Sequence, residues 1–189
     1  MTEHLIVPMN LIVLDERAQP RVTMDFGMVE EFAADMLRGD AFPPIDVFFD
    51  GEVYWLADGF HRHRAATAIQ MTEIVCAVHD GDLDDAVWFS LQANRTNGVR
   101  RTRQDVRNAV RRAIVHRKGV DETDRSIGDY IGTSHMTVVR ERQLLVATGT
   151  KLQSRSRVDK NGVERVKPQP RAAAPKQEIE KREVSAGQG

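Results

Sequence analysis

The chain has 189 residues, enough for one domain of ordinary size or two small ones. Its single cysteine, Cys76, excludes a disulfide framework and a multi-cysteine zinc site. No apolar run approaches a membrane span and Met-Thr-Glu-His opens no basic and apolar leader, so a cytoplasmic protein without a membrane partner is expected. The net charge of −1 hides a division: residues 1–90 carry 5 Lys/Arg against 17 Asp/Glu, residues 91–149 carry 12 against 6, and residues 150–189 carry 10 against 5. An acidic front and a basic rear imply separate tasks, with the rear suited to a polyanion.

Leu5 to Leu14 is rich in Leu, Ile and Val and reads as a first strand, its start confined to an edge by Pro8. Arg17-Ala18-Gln19-Pro20-Arg21 is a loop. Asp25 to Arg38 carries Phe26, Val29, Phe32, Ala33, Met36 and Leu37 at helical spacing and stops at Gly39. After the Phe42-Pro43-Pro44 turn, Ile45–Phe49 and Val53–Leu56 are β-type runs joined at Asp50-Gly51, a hairpin signal.

Leu56 runs into Ala57-Asp58-Gly59-Phe60-His61-Arg62-His63-Arg64-Ala65-Ala66, so a strand turns into a helix that extends to Gln70. Gly59 sits at the join, where a Cβ would be in the way. A helix N-terminus offers backbone N–H groups and partial positive charge, and His61, Arg62 and Arg64 add cations within the first turn. The combination suits an anion, most naturally a phosphate; the alternative is an exposed basic turn. Glu73–His79 is another strand, with Cys76 a small buried apolar residue, and Asp82–Asn94 is a helix with an acidic first turn. Strands and helices alternate over residues 1–95, which predicts a compact α/β unit.

Residues 96–149 read as a separate helical domain. In the helix Thr102–His116, Val106, Ala109, Val110, Ala113 and Ile114 form an apolar face, while Arg103, Arg107 and Arg111 repeat one turn apart on another. Such a stripe suits a phosphate backbone, or a solvated face. Arg125 to Arg140 then matches a helix-turn-helix: Gly128 where two helices cross, Gly132 at the turn, Ile127, Ile131 and Val138 between them, and Ser134 as N-cap of the second helix. In that arrangement His135, Met136, Thr137 and Arg140 reach bases of double-stranded DNA, and Ser134 and Arg142 touch phosphate. The six histidines show no metal-ligand spacing. Residues 150–189 are polar, basic and proline-containing, and are expected to be a disordered tail that adds phosphate affinity.

The stretch Ala57–Ala66 resembles the second motif of the ParB partition-protein N-terminal domain, Gly-Glu-Arg-Arg followed by Arg-Ala-Ala, and equally the Gly-Cys-His-Arg turn of sulfiredoxins, which share that fold. Gln19-Pro20-Arg21 resembles the ParB triplet after the first strand, and Asn94 matches the Asn of the third motif. The resemblance covers roughly residues 5–149, since ParB proteins also place a helix-turn-helix after the nucleotide-binding fold. It implies nucleotide contacts at Arg21, Gly59, His61, Arg62, Arg64 and Asn94, with CTP or ATP as ligand, with or without magnesium. It further implies a homodimer that binds DNA in plasmid or chromosome partition or in transcription control. Phe60 stands where sulfiredoxins carry their catalytic cysteine, and Ala93 where ParB proteins carry a Glu that helps hold magnesium. The tail is shorter and more polar than the dimerisation domain that ends ParB partition proteins. The alternative is a ParB-fold kinase or nuclease with Asp58 as base, for which the sequence alone places no second carboxylate.

Overall fold

The computed structural model describes residues 3–19, 24–93, 101–152, 156–158 and 164–166. Arg21 and Asn94, two of the expected nucleotide contacts, lie outside the described residues, as does most of the tail.

The apolar run Leu5–Leu14 forms two strands instead of one. It divides into β1 (Glu3–Pro8), a turn of 3-10 helix (Met9–Leu11) and β2 (Ile12–Val13). Pro8 ends β1 because it has no N–H to continue a ladder. With β3 (Ile45–Phe49), β4 (Tyr54–Asp58) and β5 (Glu73–Asp80), the strands make a five-stranded sheet in the order β1-β5-β3-β4-β2. β1 runs antiparallel to β5 with Val7 opposite Ile74, β5 parallel to β3, β3 antiparallel to β4, and β4 parallel to β2.

β1 and β2 are thus opposite edges of the sheet, yet the 3-10 turn between them has only 3 residues. Four residue steps reach at most about 14 Å, whereas four strand spacings across a flat sheet come to about 19 Å. The sheet must therefore curl until its edges approach each other. The expected hairpin at Asp50-Gly51 is present, and the Asp50 carboxylate accepts from the backbone N–H groups of Glu52 and Val53 and from Trp55 Nε1.

Among the described residues six α-helices follow from the caps and apolar spacing: α1 (Phe26–Arg38), α2 (Phe60–Ala68), α3 (Leu83–Ser90), α4 (Arg103–Val115), α5 (Asp124–Ile131) and α6 (His135–Ala147). Asp25, Asp82, Thr102, Thr123 and Ser134 cap α1, α3, α4, α5 and α6 through their side chains. Only α2, among these, has no side-chain cap. α3 stops four residues before the expected Asn94, because the N–H groups of Leu91, Gln92 and Ala93 turn inward to the carbonyls of Trp88, Phe89 and Ser90.

One core lies between the sheet and α2, with Val7, Ile45, Val47, Leu56, Phe60, Ala66, Ile74 and Cys76 buried and α1 packed mainly on α2. α3 covers the sheet elsewhere, through Phe48, Ala57, Ala86 and Phe89. A second core joins Leu91 to Ala109, Val110, Ala113 and Ile114 of α4, Ile127 and Ile131 of α5 and Val138 of α6. Each fully buried aliphatic side chain of these clusters contributes about 1.5–3 kcal/mol. Trp88 of α3 stacks on Tyr130 of α5, with ring centroids 4.7 Å apart, and the Tyr130 hydroxyl donates to the Trp88 carbonyl. The front and rear halves are therefore continuous through α3.

Two arginines fasten the same junction. Arg112 of α4 donates to the carbonyls of Glu16, Arg17 and Gln19 at 2.6–3.0 Å. Arg101 donates to the carbonyls of Leu91 and Ile131.

α5 and α6 are joined by Gly132-Thr133-Ser134 and pack closely at Gly128, where a Cβ would stand 2.9 Å from the Thr133 carbonyl oxygen and 3.2 Å from the His135 nitrogen. The residue expected to be small at a helix crossing is small for that reason. In the tail, β6 (Ser156–Val158) and β7 (Glu164–Val166) pair antiparallel, a ladder that the lack of apolar periodicity did not suggest.

Candidate functional site

The turn that opens α2 is fixed by sterics. Gly59 has φ +97°, and a Cβ there would overlap the Ile45 side chain of β3. β4 thereby delivers Asp58 to the end of the sheet, and α2 starts directly beyond it. The first N–H groups of a helix have no intrahelical acceptor, and Gly59 at the N-cap has no side chain to accept from them. The dipole and these donors make the α2 start receptive to an anion.

The cations expected there are placed unequally. Arg64 is exposed. His61 is buried, and its Nε2 faces the backbone N–H of Asp25 at 3.4 Å, tying α2 to the cap of α1. Arg62 is engaged: its Nη1 donates to the carbonyls of Pro43 and Pro44, and its Nη2 donates to Asp58 Oδ2 at 3.2 Å. Its side chain also forms part of the wall of a cleft of about 160 Å³ between the end of α1, the Phe42-Pro43 turn and the start of β5. Of the expected phosphate contacts, Arg64 thus faces outward, whereas His61 and Arg62 are held by the protein and Gly59 is buried. The reason is local, since an arginine in the first turn after a strand-end aspartate finds that carboxylate one turn away.

Two residues that sequence reasoning missed complete the surroundings. Asp46 of β3 stands opposite Asp58 in the ladder, and it meets His79 Nε2 of β5 at 2.8 Å. The His79 ring packs on both Phe48 and Phe89, which also meet each other edge to face. Burial pushes the Asp46 carboxyl above its ordinary value, against the His79 hydrogen bond, with the Asp58 charge adding to the rise. A lone Asp between Ile45 and Val47 in an otherwise apolar strand was the available signal. The second carboxylate that the sequence alone did not place beside Asp58 is therefore Asp46. Among the described residues no group of three acidic, His or Cys side chains has the arrangement of a metal site.

Phe60 and His63 of the same turn face inward. Phe60 joins the sheet core. His63 is buried and neither ring nitrogen has a hydrogen-bond partner among the described residues. Burial, and then the Arg64 charge, pushes His63 below the ordinary histidine value of 6.5. Burial does the same to His116, which packs on Trp88. For a histidine whose folded value is depressed, the unfolded chain takes up the proton first, so its stability contribution is complete above the unfolded value and is lost as pH falls below it. Stability is expected to be level above about pH 7 and to decline below the ordinary histidine range. The His63→Leu variant should show a shallower decline and higher stability at low pH, because it also removes an orphaned polar group. Urea denaturation across that range checks both, and equal slopes for the two proteins would contradict the assignment.

In the rear half, His135, Met136 and Arg140 are exposed on the outer side of α6, with Thr137 partly covered and Ser134 at the cap. Val138, Glu141 and Arg142 of the same helix face inward. Arg142, expected at phosphate, is buried; its Nε donates to Asp124 Oδ1 at 2.9 Å, and it braces α6 against α5. The arginine stripe of α4 divides as well. Arg103 is exposed, Arg107 Nε lies 3.7 Å from Glu141 Oε1, and Arg111 Nε donates to Glu141 Oε2 at 2.6 Å. Glu141 is 3 % exposed, so a carboxylate buried on α6 draws Arg111 inward as its counter-charge. That carboxylate lies outside the apolar positions by which the stripe was read.

The profile of the ParB N-terminal domain family matches residues 2–95. No curated protein matches the chain. Among solved structures, it is similar to the C-terminally truncated chromosome-partitioning protein ParB from Caulobacter crescentus complexed to the centromeric parS site, at 20% identity over 75% of this chain and 71% of that one, with a TM-score of 0.49. It is similar to the same ParB complexed with CTP-γ-S, at 19% identity over 76% of this chain and 79% of that one, TM-score 0.45. It is also similar to sulfiredoxin from Arabidopsis thaliana, at 23% identity over 42% of this chain and 86% of that one, TM-score 0.37.

Proposed function

Because residues 2–95 of the chain are a ParB N-terminal domain, of the ParB/sulfiredoxin-like superfamily, we propose that the protein is a DNA-binding protein that answers to a nucleotide, acting in partition or in transcription control. The observation that carries the reading is the α5–α6 pair that follows this domain: two helices that cross closely at Gly128, as in a helix-turn-helix, with His135, Met136 and Arg140 on the outer side. α6 enters the major groove N-terminus first, and Thr137 sits beside the base-reaching side chains. Arg103, Arg107 and the Ser134 cap hold the phosphate backbone. Two copies of the chain, as a homodimer, read two half-sites.

The nucleotide, CTP or ATP, places its phosphates at the uncapped start of α2, with Arg64 as the outward cation and Gly59 giving the backbone room. Arg21 and Asn94, which match the family's motif positions, are further nucleotide contacts in this reading.

Fluorescence anisotropy on random duplex DNA across a salt series tests the DNA part. The logarithm of the binding constant should fall linearly with the logarithm of salt. Arg103→Ala should weaken binding on every sequence and lower the slope by about 1. Arg140→Ala should instead cost about 1–3 kcal/mol on the preferred site and little on random DNA. Absence of binding at low salt would remove the DNA reading. Calorimetry with CTP and ATP, comparing the wild type with Arg64→Ala, tests the nucleotide part, which falls if neither nucleotide produces heat.

A further inference from the structure

Arg62 is held from two sides by different kinds of acceptor. Nη1 is anchored by two backbone carbonyls, those of Pro43 and Pro44, so the guanidinium is fixed in place. Nη2 points the other way, to the Asp58 carboxylate at 3.2 Å, the longer contact of the set. Asp58 is the last residue of β4 and precedes Gly59, so this carboxylate sits where the chain turns into the uncapped start of α2. The pair is largely shielded, with side chains 15% and 21% exposed.

Resting on the anion site proposed above, we propose that Asp58 is a built-in competitor for the ligand, occupying the position at Arg62 Nη2 that an incoming phosphate oxygen takes. Binding is then an exchange of one carboxylate for one phosphate on a guanidinium whose other nitrogen does not move. An arginine fixed by neutral carbonyls on one nitrogen and by a carboxylate on the other keeps its full charge for whichever anion reaches the second. The charged groups facing Asp58 among the described residues are Arg62 from α2 and Asp46 from β3, the latter backed by His79 from β5. A phosphate therefore enters against two carboxylates, and the domain discriminates for polyphosphates, whose further oxygens engage Arg64 and the α2 backbone, over a single phosphate that cannot offset the displacement. His79 holds Asp46 on the far side.

Asp58→Asn keeps the shape and an oxygen acceptor but removes the charge. Tripolyphosphate and CTP titrated by calorimetry into the full chain should bind this variant about tenfold more tightly than wild type. Asp46→Asn should give a smaller gain, and Glu31→Gln, an exposed acid of α1, none. Thermal denaturation confirms that each variant is folded. Equal or weaker binding by Asp58→Asn, with wild type binding normally, overturns the exchange while leaving the anion site intact. An equal gain from Glu31→Gln overturns it in favour of a net-charge effect. No binding of either polyphosphate by wild type and Asp58→Asn alike overturns both the exchange and the anion site.

Discussion

Replacing Arg112 by methionine is expected to lower stability by about 2–3 kcal/mol and the melting temperature by roughly 5–10 °C. Methionine retains the apolar stem inside the junction and removes only the guanidinium. That guanidinium crosses from α4 to the loop after β2, where it satisfies three carbonyls more than 90 positions away in sequence. Burial already pushes the Arg112 pKa down, so the bonds are made at the expense of solvation. Two of the three carbonyls lie at exposed bonds and regain water in the variant, which limits the loss; the Gln19 carbonyl is partly buried. Scanning calorimetry should show a lower and broader transition, as the front and rear halves cease to melt together. An unchanged single transition would show that the α3 contacts alone couple them. Lysine should not rescue, because one ammonium cannot reproduce a fork that spans three acceptors.

Gly128→Val is expected to destabilise the chain by at least about 3 kcal/mol and to abolish DNA binding. The obstacles to a Cβ at this position are the Thr133 carbonyl and the His135 backbone nitrogen. Neither can rotate away as a side chain would, so α5 and α6 must separate and the Ile127, Ile131 and Val138 contacts are lost with them. The core at this crossing includes no residue of the sheet or of α2, so nucleotide binding should survive in the variant. Denaturant unfolding and DNA anisotropy measured on the same preparation check the prediction. DNA binding that persists would show that α6 is not the reading element.

The sequence was most legible where local chemistry and the fold agree. The helices announced themselves through caps and spacing, and the α5–α6 crossing through Gly128 and Gly132. Gly59 was legible as a turn because only glycine takes its backbone angle. The run Leu5–Leu14 was misread because apolar composition marks a strand but not its partner. Pairing of β1 with β5 and of β2 with β4 is decided by contacts some 40 to 70 residues away. The arginines show a similar limit. A stripe at helical spacing states which way side chains point, but not that Glu141 waits buried beneath Arg111, nor that Asp124 receives Arg142. The Asp58 and Arg62 pairing required the strand-to-helix turn at Gly59, and that of Asp46 and His79 the sheet order.

The division of the first apolar run between both margins of the sheet bears on how the chain comes off the ribosome. Its opening segment is made first, yet its partner β5 ends at Asp80. Until that point has been synthesised and has cleared the exit tunnel, the earliest strand has nothing to pair with, and the curled sheet cannot be completed. Assembly of the front half accordingly waits for its last strand and is concerted, whereas α4 to α6, built from neighbouring segments, can mature as soon as they emerge.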